Sequence, residues 1–285
     1  MKIIVRGDCC SRFALNWNRT LFGAPSDSSW GDVVVVSSEK VRSDFLLSSL
    51  STGSFSAEDI RPYYKEELIR GRLPRHYAES QLERTTLTVT DADLIVMDSY
   101  ADMNFAALRH VGTDRQIWLN EGLVDRDVIA VHDEAPADTH STKPQFIREG
   151  RLSLEDSVRY HIKLIEYYRK QNGPIPVMYF DQPIIFYPTL KPREEFSQLG
   201  RLLSEKVDNF YLGDIPAEEI INDGRTALHF TPMTYRRMVF SALDKGLHKN
   251  FPRALDESRV RKEQFLADAE TPRWRWIDFV EDIRE

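Results

Sequence analysis

Short apolar runs rich in β-branched residues constrain this chain most. Ile3-Ile4-Val5, Val33 to Val36, Asp93 to Met97, Pro176 to Phe180 and Phe210 to Leu212 are each long enough for a strand and too short for a helix. Segments of helical period separate them. Residues 11–21 place Phe13, Ala14, Trp17 and Leu21 on one side, and residues 153–171 do the same with Val158, Ile162, Leu164, Ile165 and Tyr168. Residues 192–207 form a further amphipathic stretch. Strands alternating with helices predict an α/β fold whose mostly parallel sheet is covered on both faces. The unbroken valine run at 33–36 is read as a strand buried on both faces.

The punctuation agrees. Ser153 and Asp156 fit a capping box, and Asn172-Gly173 supplies the stop. Thr231 is a good N-cap, followed by Pro232 at the first helical position. Residues 42–50 fit a short helix or an irregular segment, and Gln116 to Asn120 a further short strand. Residues 60–85 read as a helical stretch facing solvent on one side, opened by a capping box at Ser56 to Asp59. The polar, Pro-containing stretch 133–150 is expected to be a mobile loop or lid. Residues 1–250 are read as one α/β domain. Residues 251–285 are read as a charged extension whose Trp274 and Trp276 dock on the body or on a second subunit.

Composition excludes several classes. A net charge of −7 argues against a protein that grips nucleic-acid phosphates. No run is long enough to span a bilayer, so membrane insertion is not expected. The two cysteines are adjacent, which rules out a disulfide framework, and no Cys/His cluster has metal-ligand spacing. The reading is a cytoplasmic protein without a metal.

The chemistry gathers at the end of the first strand. Gly7 allows a sharp turn, and Asp8, Cys9, Cys10 and Ser11 follow directly. A strand running into a tight turn that carries a nucleophile is how α/β enzymes present a reactive atom. Cys9 or Ser11 is the candidate nucleophile. His229, in a loop just before a helix and with Asp223 upstream, is the candidate base. Backbone N–H groups at Cys9 and Cys10 are candidate oxyanion donors, joined by Asn104, Ser99 or Tyr100 from the third strand's end. Asp8 and Asp98 are further substrate-binding candidates, their alternative role being to accept backbone N–H bonds at the strand ends. Arg12 and Arg42 are candidates to hold an anionic group of a substrate.

Gly7-Asp8-Cys9 resembles the Gly-Asp-Ser block of SGNH (GDSL-type) hydrolases, with Cys9 in the nucleophile's place. The stretch from Asp223 to Tyr235 resembles their last block, where an Asp shortly before a His completes a triad. Still more similar is a bacterial offshoot of that fold. Its Gly-Ser-Cys-x-Ser/Thr-Arg opening, Arg-Ser-rich segment and Asp-x-x-Asp strand end are matched by Gly7 to Arg12, Arg42 to Ser49 and Asp93 to Asp102. The likeness touches most of residues 1–245. It implies an SGNH-like, flavodoxin-like three-layer α/β/α fold and a link to surface polysaccharides or glycoconjugates. Thr226 stands where the SGNH Asp usually lies, so a Cys–His dyad and a Cys–His–Asp triad both fit. A cysteine in place of serine tilts the chemistry from hydrolysis toward transfer, because a thiolate forms and exchanges thioesters readily.

The expected activity is acyl transfer, with acetyl as the leading acyl group, or ester hydrolysis on a carbohydrate-containing substrate. No cofactor is required, and acyl-CoA is the candidate co-substrate. The alternative is a catalytically inactive SGNH-like module that binds a glycan or a partner in a biosynthetic assembly.

Overall fold

The computed structural model describes residues 1–7, 9–24, 30–39, 41–52, 61–64, 89–111, 118–120, 124–136, 142–181, 195–221 and 230–250. In chain order the elements begin with β1 (Lys2–Gly7), α1 (Cys9–Trp17), β2 (Val34–Glu39), α2 (Ser43–Thr52), β3 (Leu94–Asp98) and α3 (Tyr100–Asn104). Then come β4 (Ala107–His110), β5 (Trp118–Asn120), β6 (Ala130–His132), β7 (Gln145–Gly150) and α4 (Leu154–Asn172). The last are β8 (Val177–Phe180), α5 (Leu199–Ser204), β9 (Phe210–Leu212) and α6 (Pro232–Asp244).

The central sheet has five strands in the order β2-β1-β3-β8-β9, and every pairing is parallel. Alternation along each strand sorts the core into two layers. Ile3, Val5, Leu94, Val96, Met178 and Phe180 point to one face and pack with Phe13 and Leu15 of α1 and Val239 and Phe240 of α6. Ile4, Ile95, Met97, Val177 and Tyr179 point to the other and meet Leu46 of α2, Leu164 and Ile165 of α4, and Leu199 of α5. Full burial of one such side chain contributes about 1.5–3 kcal/mol. The outcome is a three-layer α/β/α arrangement, as the alternation of strands and helices predicts.

The caps hold α4 and α6 where the sequence puts them. The Ser153 side chain accepts the Asp156 N–H at 3.1 Å, and Gly173, at φ 77°, ends α4 by donating its N–H to Arg169 O at 2.8 Å. Thr231 accepts the Thr234 N–H at 3.4 Å, just before Pro232 opens α6.

Three expectations change, and the open reading of residues 42–50 is decided. The valine run belongs to β2, an edge strand, and Val34 is 50% exposed rather than buried on both faces. An edge strand has a neighbour on one side only, so its first residues reach past the covering helices. Within the stretch expected as a lid, Gln145–Gly150 forms β7 of a second sheet with order β5-β4-β7-β6. Its Gln145 and Phe146 are buried, the latter in a core with Leu108, Leu119 and Ile129. Residues 42–50 resolve into a helix, α2. The α-helical part of 192–207 shrinks to α5, preceded by a 3-10 turn over 195–198. The capping box at 56–59, most of the 60–85 stretch and the tail from 251 lie outside the described residues. No described helix is long and apolar enough to cross a membrane.

Candidate functional site

The carboxyl ends of β1, β3 and β8 lie side by side. From β1 the chain steps outward to β2, then returns past β1 to β3. Ligand crevices of open α/β sheets form at such a reversal, outside the carboxyl edge. Cys9 is the first residue of α1, two positions after Gly7 closes β1, so its backbone stands at this edge.

Two carboxylates fasten the edge from the β3 side. Asp98 Oδ2 accepts the Ser11 N–H at 3.1 Å and the Ser11 hydroxyl at 2.6 Å, and its Oδ1 accepts the Tyr100 N–H at 3.0 Å. Gly7 makes this possible, because a Cβ there would stand 2.5 Å from Asp98 Oδ2 and 2.6 Å from Ser11 Oγ. Asp102, one helical turn on, repeats the arrangement at α2. Its Oδ1 accepts the Ser43 N–H at 2.7 Å and its Oδ2 the Ser43 hydroxyl at 2.5 Å. The first turns of helices leave N–H groups unpaired and attract anions. At α1 and α2 the protein's own carboxylates take that place.

Asp102 also anchors a buried polar group on α4. The Ser157 hydroxyl donates to Asp102 Oδ2 at 2.6 Å. His161 Nδ1 lies 2.9 Å from the Ser157 carbonyl oxygen and 3.4 Å from Asp102 Oδ2. Both are acceptors, which places a proton on Nδ1. The His161 ring meets Tyr179 edge to face, centroids 5.9 Å apart.

On the same face, Tyr179 and Ser99 bring two buried hydroxyls near each other, but neither completes a hydrogen bond. Burial, then the negative charge of Asp181, holds the Tyr179 hydroxyl well above its ordinary pKa. Asp181 follows β8 and accepts the Gly200 N–H on Oδ1 at 3.0 Å. Here too a glycine makes room, since a Cβ on Gly200 would lie 2.7 Å from either carboxylate oxygen. Burial pushes the Asp181 carboxyl up to about 7; the Gly200 hydrogen bond works against this, Asp214 adds to it and Lys245 opposes it.

The structure thus joins Ser11 with Asp98 and sets Ser99 beside Tyr179. It turns two other candidates inward. Arg42 is 6% exposed, and its guanidinium pairs with both Asp44 oxygens, at 3.1 and 2.6 Å, while Nη1 donates to Phe105 O at 3.2 Å and Gly150 O at 2.5 Å. Such a group is a structural tie rather than a receiver for a substrate anion. Asn104 donates its side-chain N–H back to Tyr100 O at 3.0 Å, within α3. Arg12 is half-buried on α1. Asp8, Asp223 and His229 lie outside the described residues, as does the side chain of Cys9.

Sequence reasoning missed the roles of Ser43, Ser157, His161 and Asp181. Ser157 and His161 interrupt the apolar stripe of α4 at helical spacing, and a polar pair on a buried stripe is the signal that would have found them. No protein family, curated protein or solved structure was found to match the chain.

Proposed function

We propose that the protein transfers an acyl group, acetyl in the first instance, through Cys9 to a hydroxyl of a carbohydrate or to water. The observation that carries this reading is the position of Cys9 as the opening residue of α1, next to the strand-order reversal. Asp98 already takes the Ser11 N–H of this first turn, so the thiolate forms by proton transfer from Cys9 to His229. Thiolate sulfur attacks the acyl carbonyl and the donor's leaving group departs with a proton from His229. The acceptor oxygen then attacks the thioester while its proton passes to a general base, and the C–S bond breaks to regenerate the Cys9 thiolate. Asp223 is the candidate to orient His229, and Arg12 the candidate to hold an anionic donor such as acyl-CoA.

Packing near the base supports the pairing. Phe230, the residue after His229, is buried 5.7 Å from the Tyr235 ring, and Tyr235 lies 5.8 Å from Phe13 of α1. Phe230 and Tyr235 at the start of α6 therefore pack beside the helix that Cys9 opens.

Intact-protein mass spectrometry tests the reading after incubation with acetyl-CoA or an activated acetyl ester. One acetyl group on the wild type, absent in Cys9→Ala and slow to form in His229→Ala, is the expected result. No adduct from either donor, with Cys9 alkylated no faster than a free thiol, overturns it in favour of a binding module.

A further inference from the structure

Asp181 stands at the same carboxyl edge and takes no part in the steps above. Asp98 and Asp102 each accept three hydrogen bonds from backbone and serine groups, with both oxygens engaged, and serve as structural carboxylates. Asp181 differs. Its Oδ1 is held by Gly200, whereas Oδ2 has no hydrogen-bond partner among the described residues. β8 adjoins β3 in register, with Asp98 opposite Phe180, so Asp181 lies one strand and one residue beyond Asp98. Tyr179, two residues earlier on the same strand, shares its face and carries the unsatisfied buried hydroxyl beside Ser99. A fixed carboxylate with one oxygen free of partners among the described residues suits a neutral hydroxyl group better than an anion.

We propose that Asp181 is a further catalytic residue, the base that takes the proton of the acceptor hydroxyl as its oxygen attacks the Cys9 thioester. This rests on the Cys9 reading and adds the acceptor side to it. The acceptor's O–H bond breaks with its proton passing to Asp181 Oδ2. The new ester C–O bond forms as the C–S bond breaks, and the Cys9 thiolate leaves. Asp181 then returns the proton to solvent. Burial gives this carboxyl a proton affinity near neutrality, which matches a general base to its working pH. The charged groups acting on it are Asp214 and Lys245.

The test separates the two half-reactions. Cys9 is acetylated with an activated acetyl ester, excess reagent is removed, and loss of the acetyl group is followed by intact mass across pH, in water and with glycerol as a neutral polyol. Wild-type deacylation is expected to rise with pH around a midpoint of about 7. Asp181→Asn should acetylate as fully as the wild type, deacylate about 100-fold more slowly and lose that limb. Asp181→Glu should recover part of the rate. An unchanged deacylation profile in Asp181→Asn overturns the role of Asp181 and leaves Cys9 standing. Failure of both variants to acetylate, with the wild type competent, assigns Asp181 to structure and also overturns the role. No acetyl on wild-type Cys9 overturns the Cys9 reading and this one with it.

Discussion

At Gly7 the absence of a side chain decides more than the backbone freedom of glycine does. The space a Cβ would fill holds the Ser11–Asp98 contact. Gly7→Ala is expected to cost about 1–3 kcal/mol, the usual penalty of overpacking, and urea denaturation would read it as a lower midpoint. Asp102→Ala removes the acceptor of the Ser43 N–H and of the Ser43 and Ser157 hydroxyls. Each buried donor left unpaired costs about 1–3 kcal/mol, so a loss of at least about 3 kcal/mol is expected. Asp181 acts through pH. Unfolded, it loses its proton near 3.8; folded, it keeps it to about 7. Between those values the native state binds more protons, so this residue's contribution falls as pH rises, by at most about 1.4 kcal/mol per pH unit. Asp181→Asn should therefore gain stability over the wild type from about pH 4 to about pH 7, with the two curves parallel outside that window. A constant difference across the window would refute the assignment. Asp98 as an acceptor at its strand end was legible in sequence; the long contacts were not, since Asp102 reaches Ser43 across 59 positions and Ser157 across 55, and no local pattern spans such distances.

At the scale of elements, legibility follows locality. The starts of α4 and α6 were readable because a cap is made by residues three apart. Ser153→Ala is expected to cost about 1 kcal/mol, with thermal melts as the measure. The edge position of β2 was not readable, since a valine run specifies a strand without specifying its neighbours. The second sheet was hidden for a related reason. β5 and β6 are three residues each, and β7 pairs antiparallel with β4 from far along the chain, inside a stretch whose composition reads as loop. The place of Cys9 at the turn after β1 was legible because a strand, a glycine and a helix start lie within one short run.

For the molecule as a whole, the filled helix starts bear on what can bind. A phosphate seated at the first turn of α1 or α2 would have to displace Asp98 or Asp102 from the N–H groups they already hold. Inorganic phosphate at millimolar concentration is therefore expected to leave the wild-type melting temperature unchanged; a clear rise would show that a carboxylate yields its place. The Arg42 tie has a different consequence, one of architecture. A single Nη1 reaches both Phe105 O, where the chain leaves α3, and Gly150 O, where β7 ends. The whole second sheet is thus a detour that departs from and returns to one point. Its length can change without altering the distance the α/β core must bridge, which makes it the natural place for this chain to gain or exchange a module.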